Sequence, residues 1–394
     1  MTDKINKYDI YVIALIASLA SGEFGGALQL SRAVTIFLIP QLLRTFITLP
    51  KVITQKPLQF VIVILSWCMI SLLWTGAFER GLQECIYFIV HMFYFLEIIA
   101  FTYKSRKKLL SISIGWAIAV LVTSSIALWE IQSGQHLSTG RFEEDIVLFT
   151  GYARRFASAT FYNFNDYEVF LCYSIPFLLV AIYKVTDFKT LFLFFFVLLC
   201  AVVIICFNAS RGATISALVM VVIGLWGTLR QRSISRWPLF LLLFLFVFFL
   251  YKYSNEILLN LAARLDTTSA FESDRTEIWY LAFLCLLNTG LMGTGIAGIE
   301  TGMSVVSNHY LAVHNLFVEI LVEFGIFIFF YIVIILFKMF LYTLRGKTKY
   351  KRIILSTFLV LPFIFIVSSK YLLCPDLYAF ISSFYILVYH DKFA

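Results

Sequence analysis

Apolar runs of close to 20 residues recur from one end of the chain to the other, and they constrain this sequence more than any other feature. Hydrocarbon offers peptide groups no hydrogen bonds, so such runs must cross a membrane as helices or as a closed barrel. These runs are continuous and lack the period-two alternation that barrel strands need, which leaves helices. Composition agrees: 61% of the 394 residues are hydrophobic and 14% are charged, against roughly 25% charged in soluble domains. A water-soluble enzyme and a disordered binder are both excluded. The sequence reads as an all-α polytopic membrane protein, with residues 1–394 forming a single integral membrane domain.

About twelve segments qualify as spans, at 8–20, 28–48, 58–76, 82–102, 109–131, 167–183, 189–207, 213–229, 237–254, 315–342, 352–372 and 376–390. The first reads as a retained helix rather than a cleaved leader. With the N-terminus in the cytoplasm, the loops alternate so that most Lys and Arg fall inside, which also puts the C-terminus inside. The net charge of +8 therefore serves orientation and membrane lipid contact, not nucleic acid. The outer side keeps eight arginines (Arg32, Arg80, Arg141, Arg154, Arg155, Arg211, Arg264 and Arg275) but only two lysines, Lys252 and Lys370. A guanidinium fork suits bidentate capture of phosphate or carboxylate, so the outer face has the character of an anion site. Pairing of these arginines with outer acids is an equally simple account of any one of them.

Two outer loops, about 132–166 and 255–314, are much longer than the rest, and long loops in compact folds usually carry function. The second contains a short amphipathic helix, with Asp274 and Glu277 at capping-box spacing ahead of an apolar stripe from Ile278 to Cys285. A glycine-rich return follows through Gly290, Gly293, Gly295 and Gly298. The seven cysteines lie mostly within apolar runs and show no metal-binding spacing, so they read as small core residues.

Four outer constellations could carry chemistry. His314-Asn315 opens the tenth span, and a helix N-terminus disfavours protonated imidazole, keeping His314 available as a base; Glu319 and Glu323 follow on one face. Asn208-Ala209-Ser210-Arg211-Gly212 makes a short turn into the eighth span, where helix amides and Arg211 could bind phosphate. Arg275 could bring a second guanidinium to the same anion. Arg154-Arg155 precede alternating aromatic and amide side chains from Phe161 to Asp166, suited to sugars or equally to an interfacial aromatic belt. Each motif alone also fits an interfacial anchor or a routine capped turn. Within the fourth span, His91 and Glu97 are ionisable, and structural hydrogen bonding explains them as well as function does.

Taken in order, the run Arg155 to Asp166, Ser210-Arg211-Gly212-Ala213, Arg275 with Trp279 and the glycine-rich return, and His314-Asn315 with Glu323-Gly325 resemble the bacterial O-antigen ligase and polymerase family. The resemblance covers roughly residues 60–390. One departure is Phe164, where the family usually has proline between two asparagines. The resemblance implies a GT-C-like, metal-independent, integral-membrane glycosyltransferase that needs no cofactor. Its donor would be an undecaprenyl-diphosphate-linked oligosaccharide and its acceptor a glycan, with other polysaccharide-assembly proteins as further partners. It would sit in the cytoplasmic (inner) membrane with its active site on the outer face. By the same resemblance His314 is catalytic, Arg211 and Arg275 bind diphosphate, and Arg155, Asn163, Asn315 and Glu323 bind substrate, with no metal ligand.

The size of the two outer loops favours a polymerase of lipid-linked repeat units. The alternative is a ligase that moves finished glycan to a lipid A core or another terminal acceptor. A lipid-linked oligosaccharide transporter is a weaker reading, because it would place charges at the midplane of several broken helices or show an inverted repeat.

Overall fold

The computed structural model describes residues 4–139, 156–231, 244, 247–249, 251–307, 313–368 and 371–393. Among them the regular structure is helical: α1 Lys7–Ala17, α2 Leu30–Phe46, α3 Lys51–Ser71, α4 Phe78–Lys104, α5 Leu109–Ser133, α6 Phe164–Lys184, α7 Phe188–Asn208, α8 Arg211–Gln231, α9 Ser254–Asn288, α10 Ile299–Ser307, α11 Leu316–Arg345, α12 Lys351–Ile364 and α13 Pro375–Val388. Helices α3, α4, α5, α6, α7 and α11 are long and apolar enough to cross a membrane. Shorter apolar stretches lie in α8, α9 and α13. The protein is an integral membrane protein. Most of the ninth expected span, 237–254, lies outside the described residues.

Several helices start where side chains satisfy the free amides of the first turn. Asn6 and Asp9 form a reciprocal capping box on α1, with Asn6 Oδ1 accepting from the Asp9 amide at 2.9 Å and Asp9 Oδ2 from the Asn6 amide at 2.7 Å. Asp187 caps α7 through the Thr190 amide and hydroxyl, and those bonds hold its carboxyl below the usual carboxylate range. Pro375 opens α13, where its missing N–H costs nothing.

Packing puts α6 at the centre. In its apolar window 89% of residues are buried, against 28% for α3 and 33% for α11, so α6 is enclosed by protein while the other two present side chains to lipid. Helices α5, α7, α8, α12 and α13 surround α6. Exposed Ile62, Met69, Ile70, Phe327, Phe330 and Phe337 form the apolar exterior of α3 and α11. Helix α1 packs against α4 and α5, with Val12, Leu15 and Ile16 fully buried. Asp9 fastens the lysine-bearing end of the bundle by accepting from the Ser105 and Ser111 hydroxyls and the Lys107 amide, the last at 2.8 Å.

Two elements differ from the sequence expectation. The helix expected after Asp274 begins at Ser254 and runs 35 residues, because no glycine or proline interrupts residues 254–288; the Asp274 and Glu277 spacing lies inside it. The eleventh span was expected over 352–372, yet α12 stops at Ile364. Two residues past Pro362 the last carbonyls find partners elsewhere: Tyr371 Oη donates to Ile364 O at 2.8 Å and the Leu316 amide to Phe365 O at 2.9 Å.

Candidate active site

The glycine-rich return and α11 build one wall together. Helix α11 is broken at Gly325 (φ 77°, ψ −179°), a conformation that only glycine adopts readily. The break frees backbone groups that the return takes up: Thr294 N donates to Val322 O at 2.8 Å, Gly295 N to Glu323 O at 3.1 Å and Ile326 N to Leu291 O at 3.0 Å. Chains pass so closely here that a Cβ on Gly293 would sit 2.5 Å from the Gly325 nitrogen. From the other side the turn after α3 grips the return, with Trp74 Nε1 donating to Gly293 O at 3.0 Å and Thr75 Oγ1 to Ile296 O at 2.8 Å. Glu323 is buried, and its Oε1 accepts from the Ala297 amide at 2.8 Å. One oxygen of this expected substrate ligand therefore holds the return in place.

His314 and Asn315 sit at the top of this wall. Asn315 is the N-cap of α11, with Oδ1 accepting from Phe317 N at 2.9 Å and Val318 N at 3.3 Å. His314 is half-buried and has a positive φ of 49°, which re-aims the chain between Val313 and the cap. On one side the Val313 carbonyl accepts from Trp279 Nε1 of α9 at 3.0 Å. On the other, the Leu316 amide reaches Phe365 just past α12, and the same α12 end receives the start of α8, where a Cβ on Gly212 would lie 3.0 Å from Phe363 O. Arg211 is the exposed first residue of α8. Arg275 lies one turn before Trp279 in α9, and its side chain is not among those described. Residues 211, 275 and 314, far apart in sequence, are thus brought to one end of the bundle.

Asn163 caps α6, its Oδ1 accepting from the Asp166 amide at 2.9 Å and its Nδ2 donating to Asp166 Oδ2 at 2.7 Å. Phe164 occupies the first helical position, where proline would fit equally, so the departure from the family pattern leaves this turn intact. The preceding strap is held by the buried Asn208, which exchanges two bonds of 2.8 Å with the Ala157 backbone, and by Glu130 Oε2, which accepts from Ser158 N and Ala159 N at 2.8 and 2.7 Å. Arg141, Arg154 and Arg155 lie outside the described residues.

Two outer arginines serve structure instead of an anion. Arg32 is buried over the Tyr87 ring, donating to His91 Nε2 at 3.4 Å and to the carbonyls of Ala27 and Leu373. Arg80 pairs with Glu84 and Glu300. His91, stacked on Tyr378, is accordingly part of the packing.

Sequence reasoning missed the α12–α13 connection. Its Phe365 carbonyl anchors Leu316, Ser368 Oγ bonds Asp166, and the Tyr371 amide donates to Glu319 Oε2 at 3.1 Å. Nothing in an apolar run containing Pro362 marks it as a hub; only the Pro375-Asp376 helix start hints at where it ends. An apolar cavity runs below His314-Asn315 between α3, α4, α11, α12 and α13, from Leu316 and Phe317 to Met339 and Phe384.

Residues 195–333 match the model of the O-antigen ligase family. Over this segment the chain is similar to the O-antigen ligase family. The segment matched to the O-antigen ligase model holds Arg211, Arg275, His314, Asn315, Glu323 and the glycine-rich return, while Asn163 and the α12–α13 connection lie outside it. No curated protein and no solved structure matches the chain.

Proposed function

We propose that this protein polymerises cell-surface polysaccharide by joining undecaprenyl-diphosphate-linked oligosaccharide repeat units on the outer face of the cytoplasmic membrane. The observation that carries the reading is that chain positions 211, 275 and 314, all within the family-matched segment, come to one end of the bundle. The acceptor hydroxyl attacks the anomeric carbon of the donor, the bond from that carbon to the diphosphate oxygen breaks, and undecaprenyl diphosphate leaves. His314 orients the hydroxyl and takes its proton. Arg211, beside the amides and dipole of α8, and Arg275 neutralise the leaving diphosphate without a metal ion. Asn163, Asn315 and Arg155 position sugar or phosphate, and Glu323 shapes the wall beneath them. The apolar cavity that starts at Leu316 has the lining an isoprenoid chain needs.

Around this site we read a GT-C-like bundle of about twelve spans, with both termini cytoplasmic and outer loops at 132–166 and 255–314. Loop size is what favours polymerase over ligase, since two lipid-linked substrates must be held together. The test is purified protein with a lipid-linked repeat unit and a gel readout of glycan length. A ladder that vanishes in His314→Ala supports the polymerase. Transfer to a terminal acceptor without elongation makes the protein a ligase, and a mutant that accumulates repeat unit on the inner leaflet makes it a transporter.

A further inference from the structure

A second cleft, of mixed polar and apolar lining, opens beside the α12–α13 connection, with Glu23, Gln29, Asp166, Tyr173, Tyr371 and Asp376 among its lining residues. It is built by elements far apart in sequence: the link between α1 and α2, the start of α6, the α12–α13 connection and the start of α13. All of its described lining lies outside the family-matched segment. Two buried polar atoms at this cleft have no hydrogen-bond partner among the described residues, the Gln29 Oε1 and the Tyr173 hydroxyl. Gln29 is 3% exposed and Tyr173 0%, so solvent does not satisfy them freely, and leaving each unmet costs about 1–3 kcal/mol. A protein keeps such groups where a ligand completes them.

Chemistry narrows the ligand. The described lining includes three carboxylates and no lysine or arginine, so the cleft repels the diphosphate that suits Arg211. Carboxylates accept from hydroxyl groups, Gln29 Oε1 accepts, and the tyrosine hydroxyl both donates and accepts. Phe161 adds an aromatic wall for the apolar face of a sugar ring. The cleft also adjoins the candidate active site: its Tyr371 amide bonds Glu319, one turn into α11 from Asn315. We infer that this cleft binds a hydroxyl-rich segment of the glycan, with Gln29 and Tyr173 as specificity-determining residues. The inference rests on the glycosyl-transfer reading for its substrate and on its own geometry for the site.

The experiment uses full-length protein in nanodiscs, with the soluble oligosaccharide released by mild acid from the lipid-linked repeat unit as probe. Tyr173→Phe removes only the unpartnered hydroxyl, and Gln29→Leu removes the free carbonyl. Tyr173→Phe should melt no lower than wild type, bind the oligosaccharide about three- to tenfold more weakly and raise KM by a similar factor with kcat kept. Gln29→Leu should weaken binding alike. A KM effect on the lipid-linked donor alone assigns the cleft to donor sugars, and one on the acceptor alone assigns it to acceptor glycan. Unchanged affinity and KM in both variants, or no oligosaccharide binding by wild type, overturns the inference even where His314→Ala still abolishes transfer. Wild type that binds the oligosaccharide but never transfers glycan from the lipid-linked repeat unit leaves the cleft standing and removes the transfer reading.

Discussion

Replacing Gly325 by alanine attacks the point where α11 and the glycine-rich return depend on each other. At φ 77° and ψ −179° a Cβ is strained by about 1–3 kcal/mol whatever surrounds it. Here it would also lie 2.4 Å from the Met292 carbonyl carbon and oxygen and 2.7 Å from Leu291 O, backbone atoms that cannot rotate away. Relief requires the two chains to separate, which gives up the Thr294, Gly295 and Ile326 amide bonds, each worth about 0.5–1.5 kcal/mol net. The sum is on the order of 3–7 kcal/mol. Gly134 provides the control: it too has a positive φ, 70°, but a Cβ there meets nothing within 4 Å, so Gly134→Ala costs about 1 kcal/mol. Purified variants can be melted with a thiol-reactive dye that reports exposure of the buried Cys68, Cys172 and Cys285. Gly134→Ala should stay within about 2 °C of wild type, with Gly325→Ala several degrees lower. Equal melting of the two variants would refute the reasoning, because it would mean that the break in α11 carries no packing.

His314→Ala and Arg211→Ala should each abolish glycan transfer while membrane abundance stays near normal by immunoblot; loss of abundance in both would assign these residues to the fold. Asn315→Asp keeps an oxygen for the α11 cap and loses the amide donor, so it should melt with wild type but transfer glycan at least about tenfold more slowly if that donor touches substrate. Asp9→Ala removes the acceptor shared by Ser105, Ser111 and Lys107 and should destabilise by about 2–4 kcal/mol, seen as a lower melting temperature without a change in KM.

Much of this protein was legible in its sequence because the membrane imposes a local rule. A span must be apolar over its own length, so the runs that became α3 to α7 and α11 could be counted without knowing what they touch. Capping signals were less legible: Asn163 and Asn315, read as substrate ligands, cap α6 and α11, while the Asp274 and Glu277 spacing read as a helix start lies inside α9. The stripe of Ile278, Ala282 and Cys285 packs as its helical spacing implied, against Met303, Val313 and Val322. Tertiary structure decided the rest, because the deciding partners are distant in sequence. Whether an outer arginine is spent on packing depends on meeting His91 and Leu373, as Arg32 does, or Glu300, as Arg80 does. That α12 ends at Ile364, that α11 breaks at Gly325 and that Gln29 and Tyr173 face one cleft depend on backbone groups finding partners on other helices. Hydropathy reports how a segment partitions into lipid and carries no information about which buried amide or hydroxyl its neighbours will leave to satisfy.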